Sequence, residues 1–101
     1  MDFNNVMISG KIVSDIDVRC LRQTNDGRLV LNFKVRCLKD NKNNEYDWID
    51  CTAFGNIAKN IVKYLHKNDD LLMEGRLCSE KYHHNGIDKY RMYLLVKKIK
   101  F

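Results

Sequence analysis

Two aromatic residues, Trp48 and Phe54, have the types and the spacing to stack against a flat ligand. They lie in the stretch DWIDCTAFGN, which alternates with the two-residue period of a β-strand. Ile49, Cys51 and Ala53 would form its core face, so Trp48 and Phe54 would point the other way. A strand with one buried face normally sends polar side chains to the opposite face. Two large aromatics there require a second layer of protein or a ligand with flat apolar faces.

Unstacked nucleobases are such a ligand, because sequence-tolerant binders combine aromatic platforms with a basic groove. Trp48 and Phe54 would lie about 20 Å apart along an extended strand, which leaves room for two separated bases. Tyr82, with Tyr90 or Tyr93, would add aromatic surface near the last hairpin, and each stacked base contributes about 1–3 kcal/mol. The structural alternatives are a core lid or dimer interface for Trp48 and a helix staple for Phe54.

The charge balance favours a polyanionic partner without identifying one. Lys and Arg total 18 against 13 Asp and Glu, which gives a net charge of +5, although an ordinary basic protein has the same balance. Asp50 lies between the two aromatics on the same predicted face, where it should repel phosphate. The residues expected to contact phosphates are Lys34, Arg36, Lys39, Lys42, Lys81, Lys89 and Arg91.

The first third of the chain predicts two strands. Alternating apolar residues from Val6 to Cys20 predict one long strand, bent near Gly10, where the missing side chain permits a bulge. The sequence QTNDG that follows is typical of a turn. From Leu29 to Cys37, apolar residues then alternate with Asn32, Lys34 and Arg36, which predicts a second strand with a basic outer face.

In the rest of the chain the spacing of apolar residues changes twice, from strand to helix and back to strand. The polar loop KDNKNN leads into the third strand, which contains the opening stretch. Apolar residues then recur at helical spacing from Asn56 to Lys67. A fourth strand is predicted from Leu71 to about Tyr82, and a fifth from about Lys89 to the end. The pair Asn85-Gly86 between them is the preferred tip of a tight hairpin.

The order strand, strand, strand, helix, strand, strand predicts an all-β fold. It is the order of a five-stranded Greek-key OB-fold barrel with one α-helix between strands 3 and 4, a fold whose exposed face and loops bind oligonucleotides. An SH3-like small barrel is the alternative, but a full three-turn helix at this position argues against it. With 101 residues and no Pro- or Gly-rich linker, residues 1–101 are expected to form a single domain.

Catalysis, metal binding and secretion receive little support. The four cysteines have no C-x-x-C spacing, which argues against a zinc knuckle and favours a reducing cytoplasm. His83 and His84 would point to opposite strand faces and could not easily chelate one ion. No catalytic triad, phosphate loop, signal peptide or membrane-spanning stretch is recognisable. We therefore expect a cytoplasmic binding protein with no enzymatic activity, cofactor, metal or membrane association.

Five segments together resemble one family. NNVMISGKIVSDIDVR, GRLVLNFKV, DWIDCTAFGNIAKNIVKYL, EGRL, and KY near the NG hairpin follow one another across nearly the whole chain, as in the bacterial and phage single-stranded DNA-binding proteins. The resemblance implies an OB-fold homodimer or homotetramer that coats single-stranded DNA during replication, recombination or repair. It places Trp48, Phe54 and Tyr82 on the bases. It also implies that the first strand pairs with its counterpart in a second copy, with an oligomer interface at Asn5, Val6, Met7 and Ile8.

The sequence also departs from that family. Asp50 stands where relatives often have a basic residue, and a tryptophan that many relatives have before the loop at 39–44 is absent. The sequence ends at VKKIKF without the acidic tail that recruits replication proteins. These departures favour a compact phage, plasmid or mobile-element type. The alternative is an OB-fold primosome accessory or adaptor protein that bridges a helicase or initiator. Asp50 and the missing tail favour it slightly, and Trp48 with Phe54 disfavours it.

Overall fold

The computed structural model describes residues 1–40 and 43–101, and it confirms the predicted barrel architecture. Five long strands form the barrel, with one helix between the third and the fourth. A two-residue strand pairs additionally with the second long strand. The elements are β1 (Val6–Ile12), a 3-10 turn (Val18–Cys20), β2 (Arg22–Gln23), β3 (Leu29–Leu38), β4 (Tyr46–Phe54), α1 (Gly55–Tyr64), β5 (Asp70–His84) and β6 (Ile87–Lys100).

The barrel closes because β1 pairs with two strands. The sheet runs in the order β1-β5-β6-β4-β3, and β1 also pairs with β3. Its pairing with β5 extends over residues 6–11, whereas its pairing with β3 involves only Lys11 and Ile12. At this crossing a Cβ on Gly10 would overlap the Arg36 carbonyl oxygen and lie 2.8 Å from Cγ1 of Val35.

The bulge predicted at Gly10 is wrong, because Gly10 pairs with Leu71 in unbroken register, whereas the register of β5 with β6 shifts between Glu74 and Gly75. The missing side chain at Gly10 instead permits the close approach of two backbones.

The core follows the alternation expected from the sequence. Leu31, Phe33 and Val35 of β3 face inward, as do Cys51 and Ala53 of β4, and all are buried. The helix contributes its apolar stripe to the same cluster, so it covers one part of the barrel. The remaining fully or nearly buried members are Ile12, Ile16, Ala58, Ile61, Leu65, Leu71, Met73, Leu94 and Val96.

The thiol of Cys51 is expected to be chemically inert in the folded protein. Burial, with a smaller contribution from the nearby Asp50 carboxylate, raises its pKa to about 12. At pH 8 only about one such thiol in ten thousand would be the reactive thiolate. A timed reaction with a thiol reagent should modify the half-buried Cys20 and Cys37 before Cys51, which should react only on denaturation. Rapid modification of Cys51 in the native protein would contradict its burial.

The predicted continuous strand from Val6 to Cys20 is wrong beyond Ile12, where β1 ends. The Asp17 carboxylate accepts a hydrogen bond from the Arg19 backbone N–H at 2.8 Å and caps the 3-10 turn. The Ser14 hydroxyl accepts another from the Lys34 backbone N–H at 2.9 Å. Short polar side chains thereby bind backbone groups that a continuing strand would need. Ile16 still buries its side chain, which explains the apparent alternation.

Two other boundaries differ by a few residues. The helix begins at Gly55 and ends at Tyr64, not at Lys67. Leu65 leaves helical geometry, with ψ at 153°, while its side chain stays buried, so apolar spacing alone could not locate this end. In the last hairpin the strands extend further, to His84 and from Ile87. Both residues of the predicted tip, Asn85 and Gly86, have positive φ values, as a tight hairpin turn requires.

Candidate functional site

The outer surface of β3 and β4 presents the aromatic residues that the sequence analysis identified. Trp48 lies directly across from Arg36, and Phe54 lies across from Val30. Trp48 is 59% exposed, and its contact with another aromatic ring is an edge contact with Tyr46, at 6.3 Å between centroids. Within this chain the Trp48 side chain is therefore exposed on the sheet surface and does not cover the core.

Each end of this surface has an arginine over an aromatic ring. The Arg36 guanidinium lies 4.3 Å from the centroid of Tyr46, and that of Arg28 lies 4.3 Å from the centroid of Phe54. Such contacts hold the cations beside the rings. Tyr46 and Arg28 were not among the predicted site residues. Both could have been found by extending the strand pattern. Tyr46 is two residues from Trp48 and therefore on the same face, and Arg28 is an even number of residues from Lys34 and Arg36.

Both predicted lysines near β3 are paired with carboxylates, but on opposite faces of the strand pair. On the outer surface, Lys34 Nζ lies 3.5 Å from the Asp50 carboxylate directly across the strand pair. Lys39 Nζ lies 2.6 Å from the Asp47 carboxylate, and this hydrogen bond raises the pKa of Lys39; Asp47 is one residue out of phase with Trp48, so this pair is on the other face. Asp50 is thus half of an ion pair, so a phosphate that binds Lys34 has to compete with it.

Arg91 connects this surface to the β5–β6 hairpin. It lines a shallow cleft together with Asn32, Lys34 and Asp50. Its guanidinium also lies 3.2 Å from the Glu80 carboxylate and 5.3 Å from the centroid of the Tyr93 ring. The outer face of β3 and β4 and one face of the hairpin therefore meet at Arg91.

The predicted aromatics of the hairpin lie on opposite faces. Tyr82 is directly across from Lys89, on the face that also carries Arg91, whereas Tyr90 is directly across from Lys81 on the other face. Both tyrosines are exposed. The structure therefore brings Tyr82, Lys89 and Arg91 together on one face of the hairpin and separates Tyr90 and Lys81 from them. This face adjoins the outer surface of β3 and β4 that carries Trp48, which we call the Trp48 surface.

A small charged network orders the hairpin tip. The Asp88 carboxylate lies 3.0 Å from His83 Nδ1 and 3.2 Å from Lys81 Nζ, and the hydrogen bond with His83, then that with Lys81, lowers the pKa of Asp88. A carboxyl group whose pKa is lowered in the folded protein stabilises the fold at pH values above its ordinary pKa. This stabilisation is lost as the pH falls through the lowered pKa.

The structure offers no metal site among the residues that it describes. Nowhere in 1–40 and 43–101 do three His, Cys, Asp or Glu side chains lie close enough to hold a metal ion together.

The remaining predicted residues lie elsewhere. Lys42 is outside the described residues. Asn5 precedes β1, and Val6, Met7 and Ile8 lie within it, paired with β5 on one side. Met7 is exposed, while Val6 and Ile8 are half-buried. Across residues 1–40 and 43–101, none of the helices is long and apolar enough to cross a membrane.

Comparison with known proteins identifies the family of this chain. Residues 3–101 match the model of the single-strand binding protein family. A single-stranded DNA-binding protein of Onion yellows phytoplasma is 32% identical, with 97% of this chain and 92% of that protein covered. Single-stranded DNA-binding protein B of Bacillus subtilis is 28% identical, over 98% of this chain and 89% of that protein. Since the family match extends over nearly the whole barrel, this chain is a member of the single-strand binding protein family.

Proposed function

We propose that this protein binds single-stranded DNA without strong sequence preference. The observation that carries the proposal is the exposed Trp48 on a sheet surface where Arg36, Lys34 and Arg91 supply positive charge. An exposed indole offers a flat face to any base, and the surrounding cations can follow the phosphates. Family membership also supports a binding protein rather than an enzyme.

The positions of the aromatic residues define a path for the DNA across the surface. Trp48 and Phe54 lie on the same side of β4, about 20 Å apart, and Tyr82 extends the surface along the hairpin. Each stacked base would contribute about 1–3 kcal/mol. Phosphate contacts add a favourable contribution to the binding free energy. This contribution becomes smaller as the salt concentration rises, because counterions held by the DNA are released when the protein binds.

The test is a titration of a fluorescently labelled thymidine oligonucleotide and of a duplex of equal length, each at two salt concentrations. Fluorescence anisotropy should show binding of the single strand, weaker at the higher salt, and much weaker binding of the duplex, whose bases are already stacked. Equal affinity for both would contradict the proposal. Weak binding that increases only when a helicase is added would favour the adaptor alternative.

Replacing Asp50 with asparagine is expected to tighten binding. Asp50→Asn removes the carboxylate that lies 3.5 Å from Lys34 and frees this lysine for phosphate. Exposed ion pairs are worth about 0.2–1 kcal/mol, so affinity should rise by up to about fivefold. The salt dependence should also steepen by up to about 0.7 in the logarithmic slope for a single strand.

A matched control for this variant is Asp15→Asn, because Asp15 is an exposed aspartate whose ion-pair partner is Lys67, at 3.8 Å, and not a lysine of β3. It should leave the affinity for the oligonucleotide nearly unchanged. If Asp50→Asn binds no more tightly than Asp15→Asn, then the Lys34–Asp50 pair does not compete with DNA.

We also propose that two copies associate through β1. Residues 6–10 of β1 pair with β5 on one side, and pairing with β3 begins only at Lys11, so within the described residues the other edge of 6–10 has free backbone groups. Such an edge is a template for pairing with a second chain, and a two-fold axis would make it self-complementary. Sedimentation at micromolar concentration should show a dimer or tetramer. A monomer would contradict this interface.

The biological setting follows from the same proposal. A protein that protects single strands would act in DNA replication, recombination or repair, where such strands are exposed. The four cysteines are all free, in agreement with the reducing cytoplasm in which we place it. An origin in a phage, plasmid or mobile element stays a prediction.

A further inference from the structure

A second aromatic platform lies at the far end of α1. The rings of Tyr64 and Phe101 are stacked, with centroids 5.7 Å apart and planes inclined by 28°. Tyr64 is 51% exposed and Phe101 is 63% exposed, so the stacked pair retains free ring surface. Lys63 Nζ lies 5.1 Å from the centroid of the Tyr64 ring. The combination of open ring surface and an adjacent cation is the combination found around Trp48.

The exposed side of α1 links this platform to the Trp48 surface. Phe54 immediately precedes the helix and Tyr64 is its last residue, so the helix spans about 15 Å between them. Lys59 and Lys63 are four residues apart, exposed, and on one side of the helix. The segment Gly55–Tyr64 contains no acidic residue.

The lysines of this helix differ from Lys34, the lysine on the outer surface that carries Trp48. Lys34 has the Asp50 carboxylate as its partner. In the part of the chain that the structure describes, neither Lys59 nor Lys63 has a carboxylate oxygen within 4 Å. A phosphate would meet these two cations without displacing an internal partner, which favours a polyanionic occupant over an apolar protein segment.

We infer that single-stranded nucleic acid leaving Phe54 continues along Lys59 and Lys63 and stacks a base on the Tyr64–Phe101 pair. This second track rests on the proposed function, because it extends the path of the same strand. It would be occupied only by strands long enough to pass the corner at Phe54. Short strands would be held by the Trp48 surface alone.

The experiment compares thymidine oligonucleotides of about 6 and about 16 nucleotides, within the range that one OB barrel occupies. The double variant Tyr64→Ala/Phe101→Ala should bind the long oligonucleotide at least fivefold more weakly than the wild type and the short one equally well. The double variant Lys59→Gln/Lys63→Gln should lower the salt slope for the long oligonucleotide by about 1.4. Phe3→Ala removes an aromatic residue that is 90% exposed and lines a cleft with Leu77 and Met92, and it serves as the matched control.

The outcomes separate this inference from the proposed function. If the wild type binds neither oligonucleotide, the proposed function fails and the second track with it. If the wild type binds both and Tyr64→Ala/Phe101→Ala matches Phe3→Ala, only the second track is overturned. If the aromatic double variant lowers the sedimentation mass, the platform is a contact between copies of the chain, which also overturns it.

Discussion

Replacing Trp48 with alanine should weaken binding of a thymidine oligonucleotide by about 1–3 kcal/mol, roughly five- to 150-fold. The indole is 59% exposed, and its aromatic contact is an edge contact with Tyr46, so folding depends little on it. The thermal unfolding midpoint should therefore change little. Anisotropy titrations and thermal unfolding of the same samples would separate the loss of a base platform from a loss of structure.

Two further variants sharpen this result. Trp48→Phe keeps a smaller aromatic face and should recover part of the affinity. Tyr90→Ala removes an exposed tyrosine from the opposite face of the hairpin and should weaken DNA binding less than Trp48→Ala does. This difference would indicate which face of the hairpin the DNA follows. Unchanged affinity in Trp48→Ala would show that bases do not stack on β4.

Replacing Gly10 with alanine should destabilise the barrel. The added Cβ would overlap the Arg36 carbonyl oxygen and crowd the Val35 side chain. Because the nearest atom belongs to the backbone of β3, a side-chain rotation cannot relieve the overlap, and the two strands must separate. Overpacking of this kind typically costs about 1–3 kcal/mol. Denaturant titration should show a lower midpoint.

The control for this variant is Ser9→Ala, since Ser9 is the exposed neighbour of Gly10 on the same strand. It should change the free energy of unfolding by at most about 0.5 kcal/mol. Wild-type stability in Gly10→Ala would mean that β1 and β3 do not approach as closely as the barrel requires.

Periodic burial made most of this fold predictable from the sequence. The alternation of Leu31, Phe33 and Val35 with polar residues defined the inner and outer faces of β3, and the structure has the same faces. The helix was recognised from its apolar spacing, and the hairpin from the turn-forming pair Asn85-Gly86. Sequence reasoning failed after Ile12, because the hydrogen bonds of Ser14 and Asp17 depend on side-chain geometry, which apolar periodicity does not encode.

The candidate site was predictable in part. Strand parity was sufficient to place Trp48 and Phe54 on one surface, and it also contained the signal for Tyr46. The relation between Tyr82 and Tyr90 depends on the pairing register of β5 with β6. The ion pair between Lys34 and Asp50 joins two strands, so neither residue's own neighbours in the sequence indicated it.

The most direct test of base stacking uses the intrinsic fluorescence of the protein, since Trp48 is its only tryptophan. We would titrate the wild-type protein with a thymidine oligonucleotide and with duplex of equal length. Stacking of bases on Trp48 predicts strong quenching by the single strand alone, and this quenching should weaken as salt is added. Fluorescence that remains unchanged while anisotropy of a labelled oligonucleotide reports binding would contradict the account, because the strand would then bind away from Trp48.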